Sequence, residues 1–178
     1  MKRTIFFFVF IINLTTSTPA FAGDTSLGEL PPTPTPIRIN QDKRILKLKN
    51  YLRKHNSPLM EYAHLFVKKA DEYELPEWKL VPAITGVEST FGKQIPARSY
   101  NAYGWVNGAY SFKSWEESID VVTKTLKEKY YNRGLNSVER IGRTYAPPST
   151  TWAGKVNFFM REIDSFDPQT PQTLAFTL

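Results

Sequence analysis

The segment LVPAITGVESTFG, residues 80–92, decides the fold and carries the strongest functional signal in the sequence. Its first eight residues are almost all apolar, and Glu88 lies four residues after Ile84 and seven after Val81. On a helix these three side chains share one face. The sequence therefore predicts an apolar helix that carries a carboxyl group on its apolar side.

The position of Glu88 has a chemical consequence. Burial on an apolar face raises the pKa of a carboxyl group, and the negative end of its own helix, which Gly92 marks, acts in the same direction. A carboxyl group that stays protonated near neutral pH can act as a general acid, which cleavage of a glycosidic bond requires. The alternative is a solvated glutamate in the last helical turn, and this segment alone does not decide between the two.

The sequence on both sides of this segment has mostly helical periodicity. Ser114 and Glu117 fit a capping box at the start of one helix, and Asn136 can cap another. Pro82 is expected to kink the central helix or to delay its regular start. The apolar stripes are interpreted as core, and they need no cofactor to explain them. The stripes consist of Ile45, Leu48 and Leu52; Leu59, Phe66, Ala70 and Tyr73; Trp115, Ile119, Val122 and Leu126; Val138, Ile141 and Tyr145; and Trp152, Val156, Phe159 and Ile163.

One segment departs from the helical pattern. Residues 103–112, YGWVNGAYSF, contain an Asn-Gly pair between aromatic and β-branched residues, which predicts a β-hairpin. We expect this hairpin to form one wall of a groove whose opposite wall holds Glu88. The predicted fold class is therefore mostly α within an α+β arrangement, a helical domain with one small β-hairpin lobe beside a cleft.

A glycosidase commonly uses a second carboxylate besides its acid. Downstream of Glu88 the candidates are Glu116, Glu117 and Asp120. Glu117 stands where the capping box needs its acid, Asp120 is expected to be solvated, and Glu116 can simply favour the helix N-terminus. Glu116 is retained as a possible second carboxylate. A substrate-assisted route, in which a group of the sugar itself attacks, needs none of the three.

Aromatic residues are dense around the predicted groove. Aromatic faces pack against sugar rings, although each of these residues is also an ordinary core candidate. Tyr103 and Trp105 are favoured as sugar contacts because an exposed hairpin cannot bury both of its faces. Asn101 can donate to a sugar acetamide or can shape the turn before the hairpin. The aromatic set consists of Tyr100, Tyr103, Trp105, Tyr110, Phe112 and Tyr145.

The composition argues against several other kinds of chemistry. The chain has no cysteine, and its two histidines, His55 and His64, are far in sequence from any acidic cluster, so neither a thiol nucleophile nor a metal site is expected. No nucleophile elbow or phosphate-binding loop is present. No cofactor is therefore expected.

The N-terminal segment predicts export. Lys2 and Arg3 precede an apolar run at 5–14 and the sequence Ala20-Phe21-Ala22, so residues 1–22 are typical of a secretory signal peptide cleaved after Ala22. If it is not cleaved, this segment would be the only contact with a membrane. Residues 23–40 form a Pro/Thr-rich linker expected to be disordered, residues 41–167 form the folded domain, and residues 168–178 form a loose tail. The protein is expected to be secreted or to act in the cell envelope.

The charge of the exported chain is mildly positive. Removal of Lys2 and Arg3 leaves 21 of the 23 basic residues against 17 acidic ones, a net charge of +4. This excess suits an anionic cell-wall polymer or a membrane surface, and it is too dispersed to indicate nucleic acid.

Three short motifs, in order, resemble those of a known group of enzymes. ESTFG at 88–92 resembles an acid-bearing helix end, SYNAYGW at 99–105 resembles an Asn-x-x-Gly-aromatic entry to a β-lobe, and Tyr145-Ala146 followed by WAGKV at 152–156 resembles a tyrosine-alanine motif and a final helix. The sequence from Leu59 to Ile163 is thus similar to the lysozyme-like superfamily. Within it the resemblance is to the peptidoglycan-cleaving family 73 glycoside hydrolases, which are endo-β-N-acetylglucosaminidases, and to lytic transglycosylases.

This resemblance implies a lysozyme-like fold with Glu88 as the general acid and Tyr145 lining the cleft close to it. It places Asn101, Tyr103 and Trp105 in the sugar-binding wall, and it makes the glycan strands of peptidoglycan the substrate of an enzyme expected to be monomeric. The chain departs from its relatives at residues 100–112, which are short and lack the acidic residue that some relatives use as a second catalytic carboxylate.

Because of that departure, the bond and the product stay open. Hydrolysis after N-acetylglucosamine, hydrolysis after N-acetylmuramic acid and non-hydrolytic release of an anhydro sugar are all compatible with the sequence. Two further alternatives are a non-catalytic peptidoglycan-binding module that keeps the fold, and a helical partner-binding unit in which Glu88 is exposed.

Overall fold

A computed structural model of the chain describes residues 42–167. The predicted signal peptide, linker and tail lie outside these residues. The described part is mostly helical, as predicted, and none of its helices is long and apolar enough to span a membrane. Its α-helices are α1 (Lys43–Lys54), α2 (Ala63–Glu72), α3 (Leu80–Ser89), α4 (Trp115–Thr125), α5 (Val138–Tyr145) and α6 (Trp152–Ser165). Shorter 3₁₀ turns lie at Met60–Tyr62, Trp105–Gly108 and Tyr131–Arg133, and a π-helical turn at Leu126–Tyr130 follows α4.

Helix α3 is the centre of the domain. All of its residues from Leu80 to Gly86 are buried, as expected for a helix that is apolar on every side, and it packs most extensively against α6. Pro82 lies in the first turn, where its missing N–H costs no intrahelical hydrogen bond. The proline therefore delays the start of the helix, one of the two outcomes that the sequence predicted.

The C-terminal end of α3 is fixed by one buried side chain. Thr90 adopts a left-handed conformation (φ 52°) and ends the helix, and the Phe91 N–H donates to the Thr85 carbonyl at 2.9 Å. The Ser89 hydroxyl accepts from the Gly92 N–H at 2.9 Å and lies 2.9 Å from the Ala102 carbonyl oxygen. Ser89 thus ties the helix end to the loop that follows, and it fixes the turn that carries Glu88.

Helix α4 begins as the sequence predicted, with a small difference at its cap. The Ser114 hydroxyl accepts from the Glu117 N–H at 3.2 Å, while the Glu117 carboxylate accepts from the N–H of Lys113. Helix α5 is capped by Ser137, whose hydroxyl accepts from the Arg140 N–H at 3.3 Å, so the prediction of Asn136 as its cap is wrong by one residue.

The predicted hairpin is wrong: residues 42–167 contain no β-strand, and 103–112 form a compact loop around a 3₁₀ turn. The reason is the Asn101 side chain, whose amide N–H₂ donates to the carbonyls of Trp105 and Tyr110, each at 2.9 Å. Its amide oxygen accepts from the Trp105 N–H at 3.1 Å. The loop backbone is therefore satisfied by one side chain instead of a strand ladder, and Tyr103 and Phe112 anchor the loop in the core.

We expect Asn101→Ala to lower the free energy of unfolding by about 2–3 kcal/mol, because it removes the loop's central partner and leaves backbone groups unpaired. Asn132 is exposed, and its side chain forms no hydrogen bond within residues 42–167. Its replacement in Asn132→Ala should change the free energy of unfolding by less than about 0.5 kcal/mol. Urea unfolding measures both variants. Equal stability of the two would show that Asn101 does not organise the loop.

Candidate active site

Glu88 lies in the last turn of α3, with its side chain half-buried. Burial raises the pKa of its carboxyl group, and a hydrogen bond from the Trp152 indole opposes this effect without cancelling it. The indole Nε1–H donates to Glu88 Oε1 at 2.6 Å and joins α3 to the first residue of α6. The acid is thus held in one orientation by a neutral donor.

The hydrogen bond from Trp152 distinguishes the two oxygens of the Glu88 carboxyl group. In the protonated acid only one oxygen carries hydrogen, and the other can still accept a hydrogen bond. Oε1 accepts from Trp152, so the acidic hydrogen belongs on Oε2. Oε2 faces Gly104, where a Cβ atom would lie only 2.7 Å from it. A side chain at position 104 would displace the acid, and the φ of +69° at Gly104 also favours glycine.

Trp152 is itself held by close packing. It is 3% exposed, and its ring stacks on the Tyr145 ring with a centroid distance of 5.1 Å and an interplanar angle of 27°. On α5, a Cβ atom at Gly142 would lie 2.9 Å from Trp152 Cε3, so only glycine lets the indole reach this position. Helix α5 therefore determines where the N–H that contacts Glu88 points.

Tyr145 contacts the same group of residues. Its hydroxyl donates to the Tyr103 carbonyl at 2.7 Å, which joins the end of α5 to the loop after Asn101. Burial, and then the negative charge of Glu88, raise the pKa of Tyr145 well above its ordinary value. The phenol therefore stays neutral, and its hydroxyl keeps its role as a hydrogen-bond donor.

Gly104, the residue that Glu88 Oε2 faces, also lines a cleft of about 240 Å³, which is called the aromatic cleft. Its lining includes three aromatic residues that are partly exposed, Trp105, Tyr130 and Tyr145. The π-helical turn after α4 brings Tyr130 here, with its ring centroid 6.3 Å from that of Tyr145. The complete lining consists of Tyr103, Gly104, Trp105, Val106, Asn107, Tyr130 and Tyr145.

A larger and mainly apolar hollow of about 640 Å³ lies on α3 and α6. Val87 and Thr151, which help to line it, are the chain neighbours of Glu88 and Trp152. Phe158 projects from α6 into this region and is 49% exposed. The aromatic cleft therefore lies at Gly104, which Glu88 faces. The apolar hollow lies at Val87 and Thr151, which directly precede Glu88 and Trp152 in sequence.

The structure brings together most, but not all, of the residues that the sequence singled out. Trp105 and Tyr145 line the cleft next to Glu88, and Tyr103 lines it although its ring is fully buried. Asn101 is 3% exposed and uses its amide on the loop backbone, which is the second of the two roles predicted for it.

Glu116 is not part of this cluster. It is exposed in the first turn of α4, where a hydrogen bond with the Ser114 hydroxyl lowers the pKa of its carboxyl group. Asp120 is paired with Lys69 at 2.7 Å and accepts from the Tyr73 hydroxyl at 2.8 Å. No carboxylate of residues 42–167 lines the aromatic cleft, and Glu88 faces Gly104, which does line it.

Three residues of the candidate site have no sequence signal that identifies them as part of it. Trp152 was assigned to a core stripe, Tyr130 was not singled out, and Gly104 was noted only as part of a motif. Gly142 approaches Trp152, and Gly104 approaches Glu88, because distant segments of the chain meet in the fold. Helical periodicity in the sequence gives no information on such approaches. Residues 42–167 contain no group of three or more His, Asp or Glu side chains that could hold a metal ion.

The sequence matches no protein-family model and no curated protein. The similarity to family 73 glycoside hydrolases therefore rests on the three motifs and on the chemistry of their residues.

Glu88→Gln tests the buried acid through stability. The glutamine imitates the protonated acid, with its oxygen accepting from Trp152 and its NH₂ replacing the O–H on the Gly104 side. Since folding raises the pKa of Glu88 above 4.5, the unfolded wild type releases this proton first as the pH rises. Wild type and variant should therefore be equally stable below the pH at which Glu88 of the unfolded chain ionises. Above it the wild type should lose stability relative to Glu88→Gln, until the folded-state pKa is passed.

Urea unfolding between pH 3 and pH 8 measures this difference, with about 1.4 kcal/mol expected per tenfold difference in the ionisation constant between the two states. Glu74→Gln, at a side chain that is 87% exposed, serves as the control and should show no comparable trend. A difference between wild type and Glu88→Gln that does not depend on pH would contradict the buried-acid interpretation.

Proposed function

We propose that the protein is an exported peptidoglycan hydrolase that cleaves β-1,4 glycosidic bonds between amino sugars of the cell wall, with Glu88 as the general acid. The observation that carries this proposal is the arrangement of one carboxyl group. Oε1 is held by Trp152, and Oε2, which would carry the proton, lies at the Gly104 side of the aromatic cleft. In this view the domain is lysozyme-like and acts as a monomer outside the cytoplasm.

The proposed reaction begins with proton transfer from Glu88 Oε2 to the oxygen that bridges two sugars. The bond between this oxygen and the anomeric carbon breaks, and positive charge develops on the ring that stays in the cleft. The new Glu88 carboxylate is stabilised by the Trp152 N–H, whose hydrogen bond favours the ionised form. Raised pKa and retained donor together suit a group that must release a proton and later take one back.

The second step needs a nucleophile. No carboxylate within residues 42–167 lines the aromatic cleft, so we favour attack by the acetamido oxygen of the sugar on its own anomeric carbon. Water then attacks the same carbon, the bond between that carbon and the acetamido oxygen breaks, and the water gives a proton to the Glu88 carboxylate. Attack by a sugar hydroxyl in place of water would release an anhydro sugar, the lytic transglycosylase outcome.

Sugar binding is assigned to the aromatic cleft. Its volume of about 240 Å³ is below the roughly 300–1,000 Å³ of pockets for drug-sized ligands, so it suits about one sugar residue at a time. The rings of Trp105 and Tyr130 supply apolar faces, and the loop backbone at Gly104 to Asn107 supplies polar groups. A longer glycan strand would continue beyond this cleft.

A second candidate function is a non-catalytic peptidoglycan-binding module. The absence of a second carboxylate from the lining of the cleft favours it, because many glycosidases depend on such a group. This module would bind sacculi and release no soluble product at any pH.

Purified sacculi incubated with wild type, Glu88→Gln and Glu116→Gln test the proposed function. Loss of the general acid should reduce product release by about 10²–10⁴-fold. Glu116→Gln should keep activity within about twofold of wild type, since its carboxyl group already lies in solvent away from the cleft. Mass spectrometry of the muropeptides identifies the new reducing end or the anhydro sugar. Equal product from wild type and Glu88→Gln would remove Glu88 from the mechanism.

Trp152→Phe tests the orientation of the acid. It removes the N–H that stabilises the ionised carboxylate, so the pKa of Glu88 should rise further and the alkaline limb of the pH–rate profile should move to higher pH. The maximal rate should fall about tenfold because the acid loses its fixed rotamer. Trp78→Phe is the matched control on another part of the core. An unchanged profile in Trp152→Phe would show that the indole only fills space.

A further inference from the structure

Three arginine side chains surround a separate groove of about 530 Å³, called the arginine groove. It is formed where the 3₁₀ turn Tyr131–Arg133 ends at Gly134 and where the exposed side of α5 begins. The buried side of α5 carries Val138 and Ile141, so Arg140 and Arg143 fall on the opposite, exposed side. The lining consists of Arg133, Gly134, Leu135, Arg140, Arg143 and Thr144.

None of the ion pairs within residues 42–167 includes Arg133, Arg140 or Arg143. Glu139, four residues before Arg143 on α5, interacts electrostatically with that arginine without forming an ion pair. Arg140 donates one bond to the Gly134 carbonyl at 3.3 Å. Glu139, the acidic residue adjacent to Arg140, accepts from the Asn157 amide at 2.8 Å.

Some other basic residues of the domain are held in ion pairs. Arg44 is paired with both Asp42 and Asp71, and Lys69 is paired with both Glu72 and Asp120. The arginine groove is therefore a place where three positive charges share one concave surface while most of their hydrogen-bond donors stay available.

The arginine groove borders the aromatic cleft along the chain. Thr144 lines the groove, and the next residue, Tyr145, lines the cleft. Tyr130 also lines the cleft, and its carbonyl accepts from the N–H of Leu135, which lines the groove, at 3.1 Å. The two surfaces are thus linked through neighbouring residues, Thr144 with Tyr145 and Leu135 with Tyr130.

We propose that the arginine groove binds the carboxylates of the stem peptides that peptidoglycan carries on its muramic acid residues. This inference rests on the proposed function, since it takes the glycan strand to occupy the neighbouring cleft. Planar guanidinium groups match carboxylates through paired hydrogen bonds. Leu135 supplies an apolar surface between the arginines for an alanine methyl group, and the Thr144 side chain supplies a hydroxyl. A short peptide with alternating methyl and carboxylate groups fits this lining.

The test compares two substrates made from the same sacculi: glycan strands that keep their stem peptides, and strands from which an amidase has removed them. The variant Arg133→Gln/Arg140→Gln/Arg143→Gln should lose about tenfold in kcat/KM on the peptide-bearing strands and stay within about twofold of wild type on the bare strands. The control Lys43→Gln/Lys68→Gln/Arg161→Gln removes the same charge from exposed positions without ion pairs among the described residues. It should match wild type on both substrates.

A binding measurement separates this inference from the proposed function. Muramyl tetrapeptide is titrated into the protein while the arginine Nε–Hε signals are followed by NMR, and the same tetrapeptide with its carboxylates amidated serves as the comparison. The free acid should shift the signals of Arg133, Arg140 and Arg143, and the amidated form should bind about tenfold more weakly. If the wild type cleaves neither substrate, the proposed function fails, and the titration still decides whether the groove takes carboxylates.

Three results would overturn the assignment. One is an equal loss on both substrates, which would show a general attraction to the strand. Another is unchanged activity of the triple arginine variant on peptide-bearing strands. The third is tighter binding of inorganic phosphate than of the tetrapeptide at the same arginines, which would assign the groove to phosphate-bearing ligands.

Discussion

The hydrogen bond from Trp152 Nε1 to Glu88 Oε1 is the interaction on which the candidate site depends. It joins two residues 64 positions apart in sequence and connects α3 to α6, the pair of helices with the most extensive mutual packing. Two close approaches make it possible: Gly142 lets the indole sit against α5, and Gly104 leaves room for the second carboxyl oxygen. Any side chain at either glycine would move one partner of the bond.

This arrangement balances two opposing effects on one ionisable group. Burial disfavours the charged form of Glu88, while the indole N–H favours it, and burial is the larger effect. A carboxyl group buried without a donor would hold its proton more tightly and release it less readily. A group paired with a cation would lose its proton too early to act as an acid. A single neutral donor lies between these extremes, and it also fixes which oxygen faces the cleft.

The sequence was sufficient for the features that depend on local pattern. The apolar run of α3, the position of Glu88 at its end and the cap at Ser114 follow from periodicity and capping chemistry, and the structure places them as expected. The loop at 103–112 was mispredicted because the Asn-Gly signal is local, whereas Asn101, several residues earlier, satisfies the loop backbone through its side chain. Helical spacing also identified Trp152 as core, but it carries no information on where the indole N–H points.

The composition of the aromatic cleft constrains how the proposed chemistry would be divided between protein and substrate. The protein supplies one acid and a rigid wall, because Asn101 fixes the loop and Tyr145 ties that loop to α5. Since no carboxylate of residues 42–167 is in the lining, the proposed reaction would take its nucleophile from the sugar or from water. The product is then determined by which of these reaches the anomeric carbon first. Under this proposal Trp105 and Tyr130, which line the cleft, would position the sugar and so decide the product.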